Sequence, residues 1–332
     1  MADTMELVKL AKEVYSNKLV NEKYTKNQAT DVLREAFIAL NGGSTKLDYK
    51  SFRRNKIEIF EILETILDNT VIEGLQDDSF FNQRVDFRNI ALGDENSFYV
   101  PDNTTLVVSE IADGTSVLRR QRLDNGANVS ITTSLKGIKI YEHLSRLLSG
   151  RVDFNIMLAA IEKAMKIKMN DDMYNAFVGS FASLPAGFTS SGSFDEETLI
   201  AIIDHVEAAT GKVATISGTG TALRKITTAV VSDNAKEDMY KLGHYGTFNG
   251  TNIMKIRQVH NIGTYTFKLS ENDLYITTSD EKPIKFVTEG QTLIIDKDGT
   301  TNSDLTQDYF VSNKWGAGSI ITDLFGKYEI SG

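Results

Sequence analysis

The 332-residue chain has no cysteine, three prolines, one tryptophan and four histidines. Without thiols there is no disulfide framework, no thiolate nucleophile and no cysteine-held zinc, which fits assembly in a reducing cytoplasm. Net positive charge is missing too. The 36 basic against 45 acidic residues leave −9, so the basic footprint of a dedicated nucleic-acid binder is absent. No apolar run approaches the roughly 18 residues of a membrane span. Residues Met1 to Glu6 carry neither the basic nor the apolar segment that directs export. So few prolines leave no obvious linker, and modules are expected to interleave through long connections. What is present, 41% hydrophobic and 24% charged residues, is ordinary for a globular protein. The length suggests about two domains.

Residues 1–75 read as helical and charged, with stripes at Leu7, Val8, Ala11, Val14, Tyr15, at Val32, Leu33, Ala36, Phe37, Leu40, and at Phe60, Leu63, Ile66, Leu67. Three such stripes with no strand between them predict an arm that packs on something else. From about residue 97 the grammar changes. Tyr99–Ile111 and Val129–Leu135 favour β-branched residues, with turn signals at Asp113-Gly114 and Asn125-Gly126. This predicts a long polar two-stranded ribbon, which cannot be stable alone. Asp153 to Phe181 is the longest helical pattern, its stripe running Phe154, Leu158, Ile161, Met165, Met169, Met173, Phe177, Phe181. The methionines read as adaptable core packing. Beyond Ser193 the pattern is α/β: Ser193 to Glu196 read as a capping box for a helix ending at Gly211, then a strand Val213–Ser217, a helix Thr221–Val231 and a strand Ile253–Val259. The remainder, Tyr265 to Ile330, reads as strands, including Leu274–Thr277, Leu293–Ile295 and Ser319–Leu324.

Motifs that carry chemistry fail on inspection. Gly218-Thr219-Gly220-Thr221-Ala222-Leu223 sits between strand and helix as a dinucleotide fingerprint would, but Leu223 replaces the third glycine. Gly187 and Gly192 have Walker A spacing, yet Ser193-Phe194 stands where lysine and a hydroxyl residue belong. Asp296-Lys297-Asp298-Gly299 starts like a calcium loop, but Thr301 and Gln307 occupy the obligatory glycine and glutamate positions. His143, His205, His244 and His260 have no paired-ligand spacing and read as structural or surface residues. Asp77-Asp78 and Asp171-Asp172 read as solvated faces. Nothing assembles a nucleophile, base and orienter; the expectation is a protein that is not an enzyme, with no cofactor and no metal.

The order of parts resembles the Hong Kong 97-type fold of tailed-phage major capsid proteins. The stretches that carry the resemblance are Asn128 through Ile138-Lys139-Ile140, a short helix at Tyr141–Leu148 and the long helix ending Met173-Tyr174-Asn175-Ala176-Phe177-Val178-Gly179; Leu199 through Ala214-Thr215-Ile216 to Gly246–Asn252; and Thr301–Phe310 followed by Trp315-Gly316 and Ile320–Leu324. The resemblance covers roughly residues 60–330. It implies an α+β fold divided as a helical N-terminal arm (1–75), an E-loop hairpin with its flanks (76–140), the spine helix of a P-domain (141–190), an A-domain (191–264), and P-domain strands with a P-loop (265–332). Some relatives lose a segment like the first 55 residues to a protease; an uncleaved arm is expected here.

The implied function is a shell subunit that assembles with itself into pentamers and hexamers of an icosahedral particle. That particle would enclose double-stranded DNA without reading its sequence. Portal and scaffolding or cement proteins are the implied partners, the virion the location and the host cytoplasm the place of assembly; no membrane is involved. Encapsulin compartments share the fold and form the alternative. Subunit-interface candidates are Arg119, Arg120 and Arg122 near the ribbon tip, Asn302 and Asp304 in the stretch resembling the P-loop, and Trp315. Relatives that cross-link their shells join an E-loop lysine to a P-loop asparagine. Asn302 could accept, but no lysine occurs from Ile57 to Leu135. Cationic charge there comes from Arg84, Arg88, Arg119, Arg120 and Arg122, and a guanidinium stays protonated and cannot act as the amine.

Overall fold

The computed structural model describes residues 79–331 except 102–105, 112, 114–119, 123–124, 144–153, 183, 228–232, 298–305 and 322, together with Gly43, Lys50, Arg54, Ile57 and Glu64. The arm stripes, Asp77-Asp78, Arg119, Asn302 and Asp304 therefore lie outside the described residues. The elements are α1 (Ser79–Arg84), β1 (Val85–Ile90), β2 (Phe98–Val100), β3 (Ala127–Val129), β4 (Ser134–His143) and α2 (Phe154–Gly179). They continue with β5 (Thr189–Gly192), α3 (Glu196–Thr210), β6 (Ala214–Thr219), α4 (Gly220–Arg224), α5 (Asp233–Leu242), β7 (Thr247–Phe248) and β8 (Thr251–Ile256). The last strands are β9 (Asp273–Thr278), β10 (Ile284–Lys297), β11 (Thr306–Ser319) and β12 (Gly326–Ile330).

The long helix α2 follows its sequence stripe. Ile161, Met165, Met169, Met173, Phe177 and Phe181 recur every fourth residue, along one helical face, and all are buried. They pack on a four-stranded sheet of order β1-β10-β11-β4, whose inward residues include Phe286, Ile294, Tyr309, Val311 and Trp315. The same stripe reaches the second sheet through its aromatic end. Phe177 meets Phe80 at 5.1 Å and Tyr275 of β9 at 5.0 Å, both edge-on, and Phe181 meets Phe325 at 5.6 Å. Burial, with Asp273 alongside, raises the Tyr275 phenol far above its usual range.

The second sheet has the order β5-β12-β9-β6-β8-β7. Its central strand β6 is buried at all six residues, as a strand covered on both faces should be. Helix α3 buries Leu199, Ile202, Ile203 and Val206 against it. Its cap is Asp195, not Ser193: the Asp195 carboxylate accepts from Thr198 N at 3.0 Å, because Ser193 lies two residues before the cap position of a helix that starts at Glu196. Gly211 closes the helix in the left-handed region at φ 67°.

Three further expectations are corrected. Strands β9 and β12 join the second sheet rather than a common set with β10 and β11. Tyr141–His143 continues β4 opposite Asp308–Thr306 of the long β11 instead of opening a helix, since the ladder already pairs those backbones. Residues 320–321 and 323–325 form a link, not a strand, with Ile320 turned into an apolar cluster beside Phe98 and Val287.

One polar joint ties the sheets together. Arg84, buried at the end of α1, donates to the carbonyl oxygens of Thr278 and, at 3.5 Å, Glu281. Burial lowers its guanidinium to about 10, against the opposing pull of Glu281 and Asp280, so it stays cationic at neutral pH. The Glu281 carboxylate accepts from Asp323 N at 3.2 Å, and Asp323 in turn pairs with Lys212 at 2.6 Å. In guanidinium titrations of the dissociated subunit, Met169→Ala, at a fully buried position in the middle of the stripe, is expected to lower unfolding stability by about 2–5 kcal/mol. A loss under about 0.5 kcal/mol, the size of an ordinary surface substitution, would mean that the stripe is not the core.

Candidate assembly surfaces

The ribbon is built from its root outward. Strands β2 and β3 pair antiparallel over three rungs, Phe98↔Val129 to Val100↔Ala127. Pairing stops where Pro101 offers no N–H. The expected strands Tyr99–Ile111 and Val129–Leu135 are thus shorter, and Ser134–Leu135 already belongs to β4 of the sheet.

The root is clamped to the sheet face opposite α2. Phe98, Val287 and Ile320 form an apolar cluster with Ile90, Val100 and Ile131. The Arg88 guanidinium lies 3.8 Å from the centre of the Phe98 ring, and Asn96 Nδ2 donates to Ile131 O at 2.6 Å. Residues 131–133 cross β11 so closely that a Cβ at Gly316 would come within 2.3 Å of Thr132 O. The sheet can accept the ribbon there only because position 316 has no side chain.

Glu289 adds the ionic part of the clamp. Its carboxylate accepts from Thr133 Oγ1 at 2.6 Å and Gly93 N at 3.1 Å, and pairs with Lys314 at 2.7 Å. The hydrogen bonds from Lys314, Thr133 and Gly93 hold its pKa down at about 2.

Beyond the root, the described aliphatic side chains lie largely open. Leu106, Val107 and Ile111 are exposed and Val108 is 95% open. The Gln121 amide brackets Val107, donating to its O and accepting from its N at 2.7 Å each. Arg120 and Arg122 are exposed on the same excursion. An anchored root with consecutive open aliphatic residues is the geometry of an arm made for another surface.

Trp315 is not such a contact. It is only 2% exposed, and its indole N–H donates to Asp172 at 3.0 Å within the subunit. Lys136 completes the group, 3.0 Å from Asp172 and 4.6 Å from the Trp315 ring centre. Asp171-Asp172 is consequently no solvated face. Asp171 pairs with Lys268, and Asp172 with Lys168 at 2.8 Å. Partial burial pushes the Asp172 carboxyl up, but hydrogen bonds from Lys168, Lys136 and Trp315 hold it below its ordinary value. The register that places Lys136 opposite Asn313 explains why adjacent acids in sequence could not reveal this.

The rejected motifs have structural roles. Thr219 caps α4, accepting from Ala222 N at 3.3 Å, and α4 has only five residues. A Cβ at Gly218 would press on Leu274 and Leu223, so this glycine serves packing. Strand β5 lies between Gly187 and Gly192, which leaves no loop to cradle a phosphate. His260 stacks on Phe267 and His244 Nδ1 lies 2.7 Å from Tyr245 O. A cleft of about 540 Å³ between α2 and the 257–264 loop includes Asp171, Tyr174 and His260. Its acid is held by Lys268 and its phenol donates to Arg257 O at 3.1 Å.

Comparison with known proteins agrees with this geometry. The bacteriophage PhiM1 mature capsid superposes with a TM-score of 0.53 at 10% identity, over 76% of this chain and 87% of that one. The capsid of cyanophage P-SCSP1u gives 0.50 at 11% identity, over 76% and 88%. No curated protein sequence matches. The fold is that of the Hong Kong 97-type tailed-phage capsid proteins, and the class is a structural shell protein. The family described as "SPbeta prophage-derived putative capsid protein YonB" matches residues 6–326; the chain belongs to it.

The clamp predicts a pH signature. A carboxylate held at about 2 when folded and near the ordinary glutamate value of 4.5 when unfolded contributes stability above about 4.5, lost as pH falls towards about 2. Thermal melts of the Glu289→Gln subunit should therefore show a lower Tm than wild type near pH 7 and a shallower decline through that window. Parallel curves for the two proteins would dismiss the clamp.

Proposed function

We propose that the subunit assembles with itself into pentamers and hexamers of an icosahedral shell that encloses double-stranded DNA, formed in the host cytoplasm with portal and scaffolding or cement proteins. The observation that carries this reading is the ribbon: a root fixed by Glu289, Phe98 and Gly316 and a distal stretch, Leu106 to Ile111, whose aliphatic side chains stay 45–95% exposed on their own subunit. In this reading 76–140 is the E-loop with its flanks, 141–190 the spine segment and 191–264 the A-domain, with P-domain strands contributed from 265–332. Individually weak overlaps, repeated around a closed shell, add up to a durable container.

The charge of −9 supports holding DNA by enclosure rather than by phosphate contacts. The family match to a prophage capsid protein favours this over a cellular compartment shell. Asn302 and Asp304 would sit at a junction between subunits, and Arg119, Arg120 and Arg122 would meet acidic surface on a neighbour. Stability would be noncovalent or supplied by a cement protein, because 57–135 holds no lysine.

Purified protein examined by light scattering should give rings or shells far above the 36.8 kDa monomer; a strict monomer at tens of micromolar, with and without crowding salt, would refute self-assembly. Assembled particles boiled in detergent should run as one band near the monomer mass, and a covalent ladder would refute the noncovalent shell. The double variant Arg120→Glu, Arg122→Glu should lower shell yield with circular dichroism unchanged; full yield would remove these residues from the interface.

A further inference from the structure

The loop between β8 and β9 is fixed by its own hydrogen bonds. Asn261 N donates to Thr266 O and Lys268 N to Val259 O, both at 2.9 Å, and Thr264 N donates to Asn261 O at 3.0 Å. His260 and Phe267 stack across the loop at 5.4 Å, and Tyr265 meets the His260 ring edge-on at 6.0 Å. From this frame Tyr265 projects 94% exposed, with Ile262 and Phe267 about half open beside it. No aspartate, glutamate, lysine or arginine occurs from Val259 to Phe267. An aromatic side chain on a backbone already ordered loses little freedom on docking, and such residues dominate interface energetics.

The same loop, from Arg257 to Thr264, forms one wall of the cleft of about 540 Å³ whose other wall is α2. Ile167, on the helix side, is about half open. Arg257 is exposed and makes no ion pair among the described residues. Asn170 is half-buried with its Oδ1 lacking a hydrogen-bond donor, and a turn of the amide towards an incoming hydroxyl would supply one. A tyrosine matches all three: its ring needs an apolar surface, its π face attracts a guanidinium, and its O–H seeks an acceptor. The subunit's own Tyr265 does not enter, since its ring is open to solvent. A contact between the projecting ring and the cleft therefore joins two copies through different surfaces, and contacts of that kind close into rings when the rotation allows.

We propose that Tyr265 of one subunit enters the cleft between α2 and the 257–264 loop of the next copy. There its ring lies on Ile167 and against the Arg257 guanidinium, and its hydroxyl donates to the Asn170 amide. The inference rests on the proposed self-assembly and names a contact that closes its rings.

Tyr265→Ala removes only an exposed side chain, so circular dichroism and Tm should match the native subunit. In light scattering of the full-length protein, it should raise the concentration at which rings form by at least about tenfold, as truncation of an interface hot spot does. A Tyr265→Ala variant that assembles at the native concentration would overturn this contact and leave self-assembly standing; a native protein that stays monomeric would overturn both. Pairing of the two surfaces is read separately, with a photoreactive benzophenone side chain replacing Tyr265 in a mixture of isotope-labelled and unlabelled chains. Cross-links should join labelled to unlabelled chains at peptides containing Ile167, Asn170 or Arg257. Cross-links confined to one chain, or to other surfaces of the neighbour, would overturn the proposal.

Discussion

The buried stripe of α2 has to satisfy two sheets at once, and the rest of the subunit is arranged to let it. Its methionine half lies against β10 and β11, where unbranched side chains adapt to an irregular surface. Its aromatic half, Phe177 and Phe181, meets Tyr275 and Phe325 of the other module. A stripe shared in this way makes the two modules one folding unit across a chain whose connections run back and forth between them. Arg84 does the polar counterpart of the same task. Its charge is buried at the junction and answered by carbonyl oxygens and by Glu281 rather than by solvent, so removal of either side would leave an uncompensated buried group.

This arrangement explains why the outer face of the four-stranded sheet is free for other uses. With the core on one side only, the opposite face accepts the ribbon root at Phe98, Val287 and Ile320, and the crossing at Gly316 needs a position without a Cβ. The ribbon is therefore rigid where it leaves the subunit and rich in open aliphatic residues further out. Such a part gains burial only by meeting another molecule, which is the physical content of a shell subunit.

The sequence made the one-dimensional features legible. Helix α2 lies within its predicted span because its period is long and uninterrupted, and β6 and α3 follow for the same reason. Features set by pairing between distant segments were not legible. Nothing local distinguishes β12, which inserts between β5 and β9, from a strand of the other sheet. Asp172 and Trp315 read as a solvated acid and an interface residue, since only the fold brings Lys136, Lys168 and the indole around one carboxylate. Glu289 and Arg84 carried no signal, as Thr133 and Gly93 on the one side and the Thr278 and Glu281 carbonyls on the other lie about 150 to 200 positions away. The open aliphatic run from Leu106 to Ile111 did show itself as β-branched sequence, although the pairing read into it ends at Val100.

The central claim is that the ribbon finds its partner surface on a neighbouring copy. Electron cryomicroscopy of assembled particles, at a resolution that traces side chains, addresses it directly. The account predicts closed rings of five and six subunits in which Leu106 to Ile111 lie buried against the adjacent subunit while the root keeps its contacts with Glu289 and Gly316. Particles in which that stretch is solvated, or folded back on its own subunit, would contradict it.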